Sequence, residues 1–206
     1  MSTPDKRISG IPQQHFNMPS QTKEIFLSPK QLLILATDDA ETVWVAAREG
    51  VRAKAVDKLM KFTGENHEEV AMPEGYANVL RVAVTGDKVA GTFGIEGGKL
   101  PFRSFLMDGK SWKELPLPGG SDCSFVQQIM NDGTILGYVT KSDGSGLKHV
   151  LWKGETLSVL DDQQGWPKQG ELALVVRSNR QGDICVRNIT DVSTGTSEYY
   201  LLNIKP

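Results

Sequence analysis

Trp152-Lys153-Gly154-Glu155-Thr156-Leu157-Ser158-Val159 decides the fold. An apolar stretch runs into a glycine turn and leaves it as an alternating run, the pattern of two strands that share one buried face. The chain repeats this phrase. Phe62-Thr63-Gly64 leads to Glu69-Val70-Ala71-Met72, and Met107-Asp108-Gly109 leads to Glu114-Leu115-Pro116-Leu117. Gly64, Gly109 and Gly154 stand 45 residues apart. A fixed period of that length predicts a repeat architecture.

A second set of turns keeps step with the first. Gly86-Asp87, Asp132-Gly133 and Gln181-Gly182 precede Lys88-Val89-Ala90-Gly91, Thr134-Ile135-Leu136-Gly137 and Asp183-Ile184-Cys185-Val186. The earlier counterpart is Ala40-Glu41 before Thr42-Val43-Trp44-Val45. Each copy therefore reads as four strands, A to D. Strand A covers 31–37, 78–84, 124–130 and 171–177, and strand B covers 42–48, 88–94, 134–140 and 183–188. Strand C covers 54–62, 102–108, 147–153 and 197–203, and strand D covers 67–72, 111–117 and 155–160.

The fourth copy has no D strand of its own. Glu24-Ile25-Phe26-Leu27-Ser28-Pro29 matches Glu69-Val70-Ala71-Met72-Pro73-Glu74 at the same offset of 45. If 23–28 pairs with the last C strand, two open edges are satisfied together. The expected fold is all-β: a small β-propeller of four four-stranded blades, closed by the N-terminal strand in the C-terminal blade. Residues 1–22, rich in Pro, Gln and Ser, are expected to be a mobile leader. Residues 23–206 form one domain, with blades at about 31–72, 78–117, 124–160 and 171–203 plus 23–28. Leu59, Phe105, Val150 and Tyr200 form an apolar column on strand C; Ile25, Val70, Leu115 and Leu157 do so on strand D.

Composition narrows the function classes. The 206 residues are 39% hydrophobic and 23% charged, with a net charge of −2. A nucleic-acid binder needs a basic surface to displace counterions from phosphates, so none is expected. The richest basic stretch, Arg48 to Lys61, also carries Glu49 and Asp57 and reads as a solvated face. No segment has the length and apolarity of a signal peptide or membrane span. The expected setting is the cytoplasm. Cys123 and Cys185 make no disulfide framework and read as small apolar strand residues.

The third repeat carries a resemblance. Met130-Asn131-Asp132-Gly133-Thr134-Ile135-Leu136-Gly137-Tyr138, followed by Lys148-His149-Val150-Leu151-Trp152-Lys153-Gly154-Glu155-Thr156-Leu157, resembles the bacterial HAF-type repeat. That repeat joins an Asn-x-Gly-x-x-x-Gly segment to a His-Ala-Phe-like strand, an aromatic and a Gly turn. The second repeat shares Val89-Ala90-Gly91 and Ser104-Phe105-Leu106; the fourth shares Asn179-Arg180-Gln181-Gly182. The resemblance implies a propeller-like β fold and no particular activity.

The search for chemistry is short. His15, His67 and His149 have no partner spaced as a zinc ligand would be, so neither metal nor cofactor is expected. No Gly-x-Ser-x-Gly or Walker loop occurs, and Gly94-Ile95-Glu96-Gly97-Gly98 precedes no helix that could bind phosphate. Asp143-Gly144-Ser145-Gly146 lacks the further acids of a calcium loop. Trp44, Trp112, Trp152 and Trp166 fall at four different repeat positions, against a repeated sugar site. An enzyme is not expected.

Recognition is therefore assigned to the D-to-A and B-to-C loops, which differ between repeats on a regular scaffold. The longest, Asp161 to Gly170, contains Trp166, read either as an anchor for a partner or as a ring that folds back onto the blade edges as a plug. Exposed Trp and Tyr serve as interface anchors. The expected partner-binding residues are Trp166, Tyr76, Arg48 and Arg52, and the expected function is non-catalytic binding of one macromolecule, a protein, by a monomer. Two other classes remain open. A single-site carbohydrate module would need an aromatic and acidic or amide groups in one pocket. A hydrolase or lyase would need buried titratable groups at the channel mouth.

Overall fold

The computed structural model describes residues 31–37, 42–49, 56–167, 172–191 and 193–203. Fifteen strands follow one another: β1 Gln31–Thr37, β2 Thr42–Glu49, β3 Val56–Thr63, β4 Asn66–Val70, β5 Asn78–Thr85, β6 Lys88–Ile95, β7 Lys99–Asp108 and β8 Ser111–Glu114. The series continues with β9 Cys123–Ile129, β10 Ile135–Thr140, β11 Lys148–Lys153, β12 Thr156–Val159, β13 Leu172–Ser178, β14 Asp183–Asp191 and β15 Thr196–Asn203. The one helical element among the described residues is a single 3-10 turn, Leu160–Asp162, and no helix is long and apolar enough to cross a membrane. The stretch 41–60 is strand wherever it is described, in β2 and β3.

The strands form four antiparallel meanders, three with four strands and the last, β13-β14-β15, with three. The segment 23–28 expected to complete the last sheet lies outside the described residues. The turn glycines behave as their spacing requires. Gly64, Gly109 and Gly154 have φ of 57°, 61° and 60°, a left-handed backbone that only glycine adopts without strain.

The D strands are shorter than their apolar pattern predicts. β4 ends at Val70 and β8 at Glu114, just before Pro73 and Pro116, which carry no N–H for a ladder. Two expected loops also shrink. β7 begins at Lys99, and β14 runs to Asp191, leaving tight turns where irregular loops are predicted at 95–101 and 189–196. The second turn is tied by Asp191, which accepts from the Ser193 hydroxyl at 2.6 Å and from Ser193 and Thr194 N–H; the side chains of Ser193 and then Thr194 do most to hold its carboxyl down at about 2.

The sheets stack in chain order through three apolar seams. Trp44, Ala46 and Leu59 of the first sheet meet Val79, Phe93 and Phe105 of the second. Ala83, Ala90 and Leu115 meet Val126, Ile135, Val150 and Trp152 of the third. Leu136, Leu160 and Trp166 meet Ile184 and Val186 of the fourth. The predicted strand C column is real and in register: Leu59, Phe105, Val150 and Tyr200 pair with Ala46, Gly91, Gly137 and Val186. No buried cluster among the described residues joins the fourth sheet to the first.

The first strand of each sheet is an edge, and each seam gives it a polar acceptor from the preceding sheet. Val79 N donates to Asp57 Oδ2 at 2.8 Å, Val126 N to Thr92 Oγ1 at 2.9 Å and Val175 N to His149 Nε2 at 3.2 Å. All three acceptors are buried. In every sheet the first strand also has one residue too many for its ladder: Leu35, Leu80, Gln127 and Val176 are left over where the register shifts. Such bulges bend an edge strand and sharpen its twist.

The repeat-motif glycine Gly137 is explained by close approach. A methyl group there would sit 2.2 Å from Phe125 O and 2.5 Å from the Trp152 ring. Gly137→Ala is expected to lower stability by about 3 kcal/mol in urea unfolding. Gly119→Ala, where the new methyl meets nothing within 4 Å, is expected to stay within about 0.5 kcal/mol of wild type.

Candidate functional site

The crossover from β4 to β5 shapes a cleft. Met72-Pro73-Glu74-Gly75-Tyr76 turns on itself, with Tyr76 N donating to Pro73 O at 3.1 Å and Gly75 in the left-handed region. Its start is fastened to the second sheet by Trp112 Nε1, which donates to Ala71 O at 2.7 Å. Its end is fastened by Ala77 N to Gly94 O at 3.0 Å. Between this crossover and β8 lies a cleft of about 450 Å³.

Aromatic packing builds the floor. Tyr76 stands edge-on to Phe105 at 5.1 Å, while Phe93 meets Phe105 at 5.7 Å and Trp112 at 4.9 Å. Met72 and Pro73 complete the apolar surface, and Glu74, Lys110, Ser111 and Glu114 supply its polar groups. Burial, and then the negative charge of Glu114, pushes the Tyr76 phenol up from its ordinary value, while Arg103 opposes this. The hydroxyl therefore stays protonated and able to donate. Glu114 is itself engaged by Arg103 at 3.5 Å.

The four residues expected to bind a partner do not form one face. Tyr76 lines the cleft. Arg48 belongs to the same seam but is turned to structural use: its Nε and Nη2 donate to Asp57 at 2.8 and 3.1 Å. Asp57 has a side chain 0% exposed and also holds Val79 N–H, so it requires a cation beside it. That hydrogen bond raises the Arg48 pKa and keeps the guanidinium charged. Arg52 lies outside the described residues.

Trp166 is the correction. Of its two readings, an exposed anchor or a ring folded back as a plug, it takes the second: it is 6% exposed and packs in the seam between the third and fourth sheets. Its ring lies 5.2 Å from that of His149, whose backbone N–H is held by Asp161 Oδ2 at 2.6 Å. The polar neighbours that suggested a surface residue belong to a loop that tucks its one large ring inward. Burial of an indole this size outweighs its display to water.

Sequence reasoning missed Trp112 as a cleft residue. Its position on β8 gives no hint, because the cleft exists only where the crossover from the first sheet meets the last strand of the second. It also missed an aromatic row. Phe102 lies 5.6 Å from Phe125, and Phe125 stacks on Tyr138 at 4.7 Å with planes 14° apart. Among the described residues no three His, Cys, Asp or Glu side chains gather as a metal group would require. The chain matches no family model and no curated protein.

The burial of Trp166 separates two substitutions. Trp166→Ala is expected to cost about 3–5 kcal/mol in urea unfolding, the range for emptying a large core site. Trp166→Phe is expected to cost much less, because the indole Nε1 is buried without a hydrogen-bond partner and its loss strands nothing.

Proposed function

We propose that this chain is a non-catalytic binding protein whose cleft at Tyr76 receives an anchor side chain from one protein partner. One observation carries this reading: a cleft where buried Phe105 and partly buried Met72, Tyr76 and Trp112 lie among the exposed charges Glu74, Lys110 and Glu114. Interface hot spots have this anatomy, with a dry centre that a partner's side chain fills and a polar rim around it. A volume of about 450 Å³ falls within the range of sites that enclose most of a small group.

We also infer that the four sheets are the blades of a β-propeller, closed by 23–28 adding to β15. Three supports converge. The sheets stack in chain order through three seams of one kind. Both ends of the stack carry bare apolar side chains, with Ile34 69% exposed on the first sheet and Tyr199 and Leu201 65% and 78% exposed on the last. Laying those faces together would remove them from water. The register match of 24–29 with 69–74 supplies the fourth strand of the fourth blade. The likeness of residues 130–157 to HAF-type repeats agrees with the same architecture.

A second reading draws on the same cleft. Tyr76 and Trp112 lie beside Glu74 and Glu114, the aromatic and acidic pairing that a single carbohydrate site requires. The protein reading is preferred because the lining contains no Asn or Gln and Glu114 is already engaged by Arg103.

Affinity capture from the organism of origin, with wild type and Tyr76→Ala compared at equal folded concentration, tests the function. The expected outcome is one captured protein that the variant loses. Retention of every captured protein overturns the reading, and Tyr76-dependent binding on a glycan array selects the sugar instead. Closure has its own measurement. Deleting 1–28 is expected to abolish cooperative thermal unfolding, whereas deleting 1–20 leaves it intact; equal melting of the two truncations overturns closure.

A further inference from the structure

We infer that the cleft selects a peptide in which an apolar anchor is flanked by a basic residue on one side and an acidic residue on the other. This rests on the protein-binding reading of the cleft and gives it a specificity. The argument comes from the two rim charges that have no counter-ion.

Most charges near the outer strands are paired. Lys58 and Lys61 face Glu69 and Glu68 at 3.5 and 3.7 Å, Lys113 is bonded to Glu155, and Lys153 meets Asp132 at 3.3 Å. Within the cleft, Glu114 is taken by Arg103. Glu74 and Lys110 line the same cleft, are exposed, and have no ion-pair partner among the described residues. They do not pair with each other, and they belong to different elements. Glu74 lies in the crossover turn that Tyr76 N closes onto Pro73 O. Lys110 follows Gly109 in the hairpin turn between β7 and β8.

One lip therefore presents Glu74 and the other Lys110 across an apolar floor, with Asp108 two residues from Lys110 in the same hairpin and Glu114 drawn to Arg103. A segment whose apolar side chain descends between Tyr76, Phe105 and Trp112 must lay its flanking residues toward those lips. A basic residue toward Glu74 and an acidic residue toward Lys110 would be attracted; the reverse order would set like charges together. Rim charges of this kind contribute more to orientation and choice of partner than to tightness. The site thus distinguishes a segment from the same segment threaded backwards.

Selection from a random peptide library displayed on phage tests this, with wild type, Tyr76→Ala and the double variant Glu74→Lys/Lys110→Glu as baits. Both charged residues are exposed, so the double variant should melt as wild type does. Wild type is expected to enrich peptides with a basic residue and an acidic residue in one fixed order about an apolar residue. The double variant should enrich the opposite order and bind the wild-type peptide about tenfold more weakly, a change of about 1.4 kcal/mol. Raising salt should weaken the wild-type peptide through screening of both contacts. Peptides that bind wild type and the double variant equally, or a consensus without charges, overturn the charge inference while leaving the anchor reading standing. Failure of both baits to enrich any peptide, or peptides indifferent to Tyr76→Ala, overturns the anchor reading and this inference together.

Discussion

A meander has two edges, and the constraint from which the rest follows is what happens at the first of them. When an edge strand is pressed into an apolar seam, its outward N–H groups lose water, and each one left unbonded costs free energy. Here Val79, Val126 and Val175 give those groups to Asp57, Thr92 and His149 of the preceding sheet. The three acceptors differ chemically, and each brings its own demands. Asp57 is a buried carboxylate and needs Arg48; Thr92 is neutral and shares a contact with Ser104; His149 sits beside Asp161 and Trp166. Side chains that looked available for recognition are thereby committed to holding sheets together.

The same accounting explains which parts of the protein could be read in advance. Strand positions, turn glycines and the strand C column depend on neighbours within one sheet, and spacing and alternation encode them directly. Gly137 belongs to this legible class, since the motif that marks it also contains the Trp152 that crowds it. The fate of Trp166 and Arg48 depends on which sheet arrives opposite them, and single-strand patterning carries no such information. Proline marks the ends of β4 and β8 as clearly as glycine marks the turns, yet the alternating pattern continues past both and overstates the strands.

The cleft lies between these two cases. Its components were visible separately, Tyr76 as a loop aromatic and Trp112 as a strand residue of the following repeat. They meet where the crossover is fastened to the second sheet, by the Trp112 indole on Ala71 O and by Ala77 N on Gly94 O, with Tyr76 packed on Phe105. Stacked sheets generate such sites where a crossover from one sheet meets the outer strand of the next. Divergence of a single crossover can then create a unique site without disturbing the others.

The residue left over in each first strand bears on how four similar units avoid exchanging parts. Measured from the residue that faces the strand C column, the extra residue falls two places after it in the first sheet and two before it in the second. It falls one place after in the third and fourth. A strand borrowed from the wrong unit would put its kink where the host ladder runs straight, or run straight where the host kinks. In the first two sheets these offsets act like the differing wards of two keys, rejecting a mismatched strand while the chain is still assembling.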